Sequence, residues 1–241
     1  MGSNRGFLKE EKGVFQIDYK KTTSIFINYL NLDIILNYKS LFRGKLLDAG
    51  CGEKPYSLIY DSLVKESVGV DVETCVHEQK FVDVFSSIEE LPFADGAFDC
   101  VLCTNVLEHV KNIDSACREL SRVLKKEGNI ILIAPFLYPT HEAPYDFYRF
   151  TRYGLMNMLE THGIKAQHIH SAGGPLILFF VWFNLFLCNI IKNKLIKSFS
   201  CRMQVFAYKI WKRFHFNKML NNQNKLNDLI SLGYIVIGEK L

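Results

Sequence analysis

Between Gly44 and His170, short runs of aliphatic and β-branched residues alternate with stretches of helical length, and this alternation restricts the fold more than any other feature of the chain. "KLLDAG", "SVGVDV", "KFVDV", "FDCVLCTNV", "NIILIAPF" and "KAQHIHSAGG" read as strands. "PYSLIYDSLV", opened by Pro55, "NIDSACRELSRVLKKEG" and "RYGLMNMLETHG" read as helices. In the second of these helices Ile113, Ala116, Cys117, Leu120, Val123 and Leu124 make one apolar stripe, and Gly128 is its predicted stop. "GYIVIGEKL", from Gly233, supplies a seventh strand. Elements in this order predict an α/β fold with a parallel, doubly wound sheet of these seven strands and helices on both faces.

Four regions follow. Residues 1–43 read as a polar tail and a helix, an N-terminal helical cap. Residues 44–172 are the core. Residues 173–226 form a helical insertion, and residues 227–241 return the final strand.

Seven cysteines at irregular spacings, several inside apolar runs, suit reduced thiols of a cytoplasmic protein rather than a disulfide framework. Cys100 and Cys103 lie along one predicted strand on opposite faces, so they cannot chelate together. The N-terminus "MGSNRGFLKEEKG" has no apolar segment of a secretory signal, which again predicts a cytoplasmic protein.

The formal charge of +4 is unevenly spread. No acidic residue stands between Glu160 and Asp228, an interval holding ten Lys or Arg, so the rest of the chain sums to 4 − 10 = −6.

"LLDAGCGEKPY", residues 46–56, is the first strand-to-helix turn, where ligands of open α/β sheets bind. Gly50 and Gly52 let backbone approach a ligand without side-chain hindrance. Asp71, 21 residues beyond Gly50, ends the second strand at the spacing of a carboxylate that takes ribose hydroxyls. A dinucleotide fingerprint needs a third small residue where Pro55 stands, and Asp48 is awkward beside a pyrophosphate. A carboxylate there suits an ammonium or sulfonium, pointing from NAD to S-adenosylmethionine (SAM).

"LLDAGCGEKPY", "VGVDV", "LPFADGAFDCVLCTNVLEHV", "RELSRVLKKEGNIILIAPF" and "HEAPYDFYRFTRYGL" resemble the class I SAM-dependent methyltransferases of the methyltransferase type 11 group, over residues 44–172 and the final strand. The resemblance implies a Rossmann-like, mostly parallel seven-stranded sheet whose last strand runs antiparallel. It implies that Asp48, Gly50, Cys51 and Gly52 line the methionine end of SAM, with Asn105 closing that side. Asp71, with Val72, would hold the ribose, and Asp83 and Val84 would meet the adenine. The group's common third glycine is Lys54 here.

An alcohol acceptor needs a general base, which an amine can do without. "YPTHEAPYDFYRFTRYG", after the fifth strand, gathers His141, Glu142, Tyr145, Asp146, Tyr148, Arg149 and Arg152 in a loop held by Pro139 and Pro144. His141 is the candidate base, with Tyr145 and Asp146 beside it; a loop histidine bonded to backbone is the equal alternative. Arg149 and Arg152, with Tyr148, would bind an acidic group of the substrate, or else pair with Asp146 and Glu142. His109, in "VLEHV", faces either the pocket or the core. The spacing of His141, Glu142 and Asp146 matches no recognised metal site, so no metal is expected.

From Pro175 to Ile191 seventeen residues are interrupted only by Asn184 and Asn189, short of the about 20 that span a bilayer. A buried or dimer-forming lid, a monotopic membrane contact and a transmembrane span remain open, in falling order. The basic segment beyond favours an acidic or phosphate-bearing small molecule, a glycan precursor or a lipid headgroup over nucleic acid. The sequence therefore predicts a cytoplasmic or membrane-peripheral SAM-dependent methyltransferase acting on an oxygen of a sugar, phosphorylated intermediate or glycan precursor. An N-methyltransferase of a small amine and a non-catalytic SAM-binding partner subunit are the alternatives.

Overall fold

In the computed structural model, which describes residues 3–18, 25–74, 79–190, 194–221 and 230–241, the start of the chain is not a polar tail. Ser3–Arg5 (β1), Leu8–Glu11 (β2) and Val14–Ile17 (β3) form an antiparallel three-stranded sheet. Two-residue loops join them. Gly6 takes φ 51° at the first position of one loop, and Lys12 and Gly13 take φ 53° and 78° in the other. Such positive-φ loops match the twist of paired strands. Leu8 and Ile17, partners across β2 and β3, are both buried and join the core beside the helix Ile25–Asn37 (α1).

The main sheet follows. Its strands are Lys45–Ala49 (β4), Glu66–Asp71 (β5), Val84–Phe85 (β6), Phe98–Thr104 (β7), Leu124–Pro135 (β8), Ile164–Ser171 (β9) and Gly233–Lys240 (β10). The spatial order is β6-β5-β4-β7-β8-β10-β9, with β10 antiparallel to both neighbours and the other pairs parallel. This is the seven-stranded, mostly parallel sheet that the sequence predicts. Helices Ser57–Tyr60 (α2), Ile113–Val123 (α3), Arg152–Thr161 (α4), Pro175–Ile190 (α5) and Lys194–Leu220 (α6) complete it.

Strand alternation divides the core in two. Leu46, Leu102, Ile131, Ile133 and Ile235 face α1 and α6. Leu47, Val101, Ile130, Leu132 and Val236 face α3 and α4. Cys100 lies on the first side and Cys103 on the second, both with free thiols.

Three boundaries differ from the sequence reading, the first being that of "KFVDV", of which only Val84 lies in β6. "PYSLIYDSLV" keeps only the single turn α2, and α3 stops at Val123 rather than at Gly128. Leu124 is taken by the sheet, where it pairs with Phe98. Lys240 at the end of β10 donates to the carbonyl of Leu124 at 2.7 Å, a cation where the helix carbonyls run out.

The interval 173–226 supplies α5 and α6. Asn184 and Ser200 hydrogen-bond between them. Phe26 of α1 meets Tyr208 edge-on at 4.8 Å, and Lys212 donates to Asp33 at 2.6 Å. Of the basic stretch, Lys192 and Lys225 lie outside the described residues.

Candidate active site

The site starts where β4 ends. Backbone N–H groups of Gly50 and Cys51 both donate to the carbonyl of Val70, at 2.8 and 3.0 Å, folding the turn over the tip of β5. Gly50 has φ 69°, and a Cβ there would overlap the side chain of Val106, so no other residue fits. Gly52 donates its N–H to Asp71 Oδ2 at 2.7 Å and Val72 donates to Oδ1 at 2.8 Å. The carboxylate ending β5 is thereby fixed beside the glycine turn. Asn105, with φ 54°, ends β7 at the same edge, its N–H donating to Ile133 at 2.8 Å.

Beneath the turn Asp48 is buried, and Tyr60 donates to its Oδ2 at 2.7 Å. Burial pushes this carboxyl up to about 7, against the Tyr60 hydrogen bond and the Lys54 charge. Burial and the neighbouring Asp48 also push the Cys51 thiol up, which leaves it unreactive.

These groups open on a cavity of about 660 Å³, of the size that holds small-molecule ligands. Asp48, Gly50, Cys51, Gly52, Asp71, Val72 and Asn105 all line it, and so do His109, His141 and Tyr145. Bare backbone, a fixed carboxylate at a strand tip and this volume together suit SAM.

Six expected residues do not line the cavity. Asp83 accepts from Gly69 N–H at 2.7 Å and from the Lys54 ammonium, on the far side of the turn. Val84 packs into the core beside it. The structure differs from the adenine expectation at both: Ser86, Ser87, Ile88 and Glu89, just beyond, are the residues of that segment that reach the cavity. Asp146 receives Arg149 in a two-pronged pair at 2.6 and 2.7 Å and accepts the His141 N–H at 2.8 Å. The guanidinium holds the Asp146 carboxyl down at about 2. Arg149 also donates to the carbonyls of Tyr138 and Pro139, both at 2.9 Å. It braces the loop, and neither Arg149 nor the Asp146 it holds lines the cavity. Tyr148 donates to the carbonyl of Lys111 at 3.1 Å, and Arg152 begins α4 away from the cavity.

Of the cavity residues that the sequence reading did not name, Glu108 is the one with the most unusual surroundings. Glu108, next to His109, is fully buried, and neither of its oxygens has a hydrogen-bond partner of good geometry. Burial pushes it up to about 8. Only the neighbouring histidine drew notice in "VLEHV", because a glutamate beside a short turn gives no sign of burial. Burial, more than any charge, holds His141 below the usual imidazole range.

Residues 47–132 match a family model described as a methyltransferase domain. YcgJ of Bacillus subtilis, an uncharacterized methyltransferase, is 31% identical over 113 residues, 42% of this chain and 42% of that protein. A ubiquinone/menaquinone biosynthesis C-methyltransferase, UbiE of Hahella chejuensis, is 39% identical over 79 residues, 32% of this chain and 31% of its own. The matches thus span less than half the length of these curated relatives. The crystal structure of a SAM-dependent methyltransferase from Archaeoglobus fulgidus shares the fold, with a TM-score of 0.54 at 18% identity over 92% of this chain and 96% of that one. The matched residues hold the glycine turn, Asp71 and Asn105 on the seven-stranded sheet, and residues 47–132 form a methyltransferase domain.

Proposed function

We propose that the chain transfers a methyl group from SAM to an oxygen of a sugar, a phosphorylated intermediate or a glycan precursor. The observation that carries this is the meeting, in one cavity, of the glycine turn and Asp71 with the polar group Glu108, His109 and His141. When bound, SAM supplies an electrophilic methyl. Asp71 would take the ribose hydroxyls, Ser86 to Ile88 would flank the adenine, and the bare backbone at Gly50 would admit the methionine end. The turn and the His141 loop would hold donor and acceptor in line. The group around His141 would take the hydroxyl proton of the acceptor as its oxygen receives the methyl group, S-adenosylhomocysteine being the product that leaves.

The test is calorimetric titration with SAM, S-adenosylhomocysteine and NAD, followed by an acceptor screen. Binding of both sulfur ligands and not NAD is expected. His141→Ala should lower turnover steeply while SAM binding persists. Folded protein that binds NAD alone, or nothing, would overturn the reading; undiminished turnover in the variant would favour an amine acceptor.

An exposed stripe supports an acceptor presented at an anionic lipid surface. Phe199, Met203, Phe206, Ile210 and Phe214 recur every three or four residues along α6, with Phe199, Phe206 and Phe214 65, 60 and 61% exposed. Phe179, Trp182, Phe183 and Phe186 of α5 are exposed as well. Arg202, Lys209 and Arg213 border the α6 stripe in an interval with no acidic residue. Apolar surface edged by cations is what a helix lying in a headgroup layer presents. Among the described residues no helix is long and apolar enough to cross a membrane. The protein should cosediment with phosphatidylglycerol vesicles more than with phosphatidylcholine, and F199S/F206S/F214S should lose this. No vesicle binding, with a dimer that the same variant dissociates, would make the stripe an interface between copies.

A further inference from the structure

Glu108, His109 and His141 bring one ligand atom each within 4.8 Å of one another. The two imidazoles are oriented alike. His109 Nδ1 lies 2.6 Å from the carbonyl oxygen of Tyr145, and His141 Nδ1 lies 3.2 Å from that of Pro139. A carbonyl oxygen only accepts, so Nδ1 carries the proton in each ring and Nε2 keeps a lone pair. Both Nε2 atoms lie 3.9 Å from Glu108 Oε1. Two Nε2 lone pairs and the Glu108 carboxyl group therefore face one another across the cluster.

Glu108 makes the cluster more than a chance gathering of side chains. It is fully buried, and its carboxylate is left without a good hydrogen-bond partner. The nearby guanidinium of Arg149 does not serve it, being engaged by Asp146 and two backbone carbonyls. A buried carboxyl group without such a partner is unfavourable, and a cation bound there would supply one. Histidines whose far nitrogen is pinned by a backbone carbonyl are the usual form of imidazole metal ligands.

We infer that Glu108, His109 and His141 bind a divalent transition-metal cation such as Zn²⁺, Mn²⁺ or Fe²⁺, leaving coordination positions open toward the cavity. Imidazole and carboxylate ligands together suit ions of this kind rather than Ca²⁺ or Mg²⁺. Metal–ligand bonds of about 2.1 Å set neighbouring ligand atoms about 3.4 Å apart, so each 3.9 Å gap must close by about half an ångström. Side-chain rotation supplies that much.

The role of the ion rests on the methyl-transfer reading; its binding does not. An acceptor hydroxyl in an open position would lose its proton to solvent more readily, its oxygen pair would form the C–O bond, and the C–S pair would leave on S-adenosylhomocysteine. His141 would then be a ligand and not the base itself.

The experiment uses the full chain, purified without a metal-chelating tag, stripped with a chelator, and titrated calorimetrically with ZnCl₂ and MnCl₂. SAM is titrated in parallel as a check on the cavity. One equivalent of metal is expected for the wild type, with at least a hundredfold weaker binding in Glu108→Gln and in H109A/H141A. Circular dichroism and an unchanged SAM affinity would show that the variants fold. Folded wild type that binds SAM but holds no metal, or holds it as tightly as H109A/H141A does, overturns the site. Metal bound as expected without SAM would uphold the site and overturn the methyl-transfer reading.

Discussion

The stem of Lys54 occupies the space that a side chain on Gly69 would need: a Cβ at residue 69 would overlap Lys54 Cε and approach Cys51 Sγ to 2.8 Å. The turn after β4 is thus laced to β5 by the residue that replaces the group's third glycine. Gly69→Ala should destabilise the protein by about 1–3 kcal/mol through overpacking. Lys54→Gly should restore part of that loss, because it removes the stem and suits the φ of 49° found there. Denaturant unfolding of the wild type, both single variants and the double variant measures the coupling. Additive losses would mean that the two residues do not compete for space.

Asp71 and Asp83 should part company in binding. Asp71→Ala removes a carboxylate on the cavity wall, worth about 1.5–3 kcal/mol if it holds ribose hydroxyls, or roughly a 10- to 100-fold loss of SAM affinity. Asp83→Ala, which frees the Lys54 ammonium on the other side of the turn, should lower the unfolding midpoint and leave SAM affinity within a few-fold. Calorimetry on the two variants separates the roles, and the reverse ranking would restore Asp83 to the adenine.

Stability should depend on pH through Asp48. Its carboxyl titrates near 7 when folded, against an ordinary value of 3.8. Between these values the unfolded chain gives up the proton while the folded chain keeps it, so stability from this group is full below about pH 4 and is lost as pH rises toward 7. Thermal unfolding of the ligand-free protein should therefore come earlier at pH 8 than at pH 5 by a larger margin in the wild type than in Asp48→Asn. Equal margins would place the charge elsewhere.

Arg149→Lys should fail to replace arginine. The planar fork serves both oxygens of Asp146 and two carbonyls at once, which an ammonium cannot do. A loss of about 2 kcal/mol, faster proteolysis between residues 138 and 149, and a drop in turnover exceeding any change in SAM affinity are expected. Unaltered proteolysis would show that the loop is held by other means.

What the sequence disclosed was set by period and chirality. Leu46 and Leu47, or Cys100 and Cys103, sort to opposite faces by strand alternation alone, and Gly50 declared its left-handed turn. The first hairpins were harder, since "GF" and "KG" between short polar strands are weak signals until Leu8 and Ile17 are seen to bury together. Asp83 was ambiguous because a carboxylate after a strand looks the same whether it faces a ligand or a lysine 29 residues earlier. Glu108 was invisible because burial belongs to the assembled fold: Phe147 N–H, from a loop far along the chain, donates to the Glu108 carbonyl at 2.8 Å and covers it.

The strand latest in chain order, β10, is hydrogen-bonded on both sides, between β8 and β9. Leu232 and Gly233, at its entrance, also line the cavity. During synthesis, β8 and β9 must therefore wait with open edges while both helices of the insertion are made, and the cavity gains Leu232 and Gly233 only after them. A nascent chain stalled near residue 221 would be a sticky intermediate that no cofactor can rescue, so the cell would experience premature termination here as an aggregation problem before it noticed a missing activity.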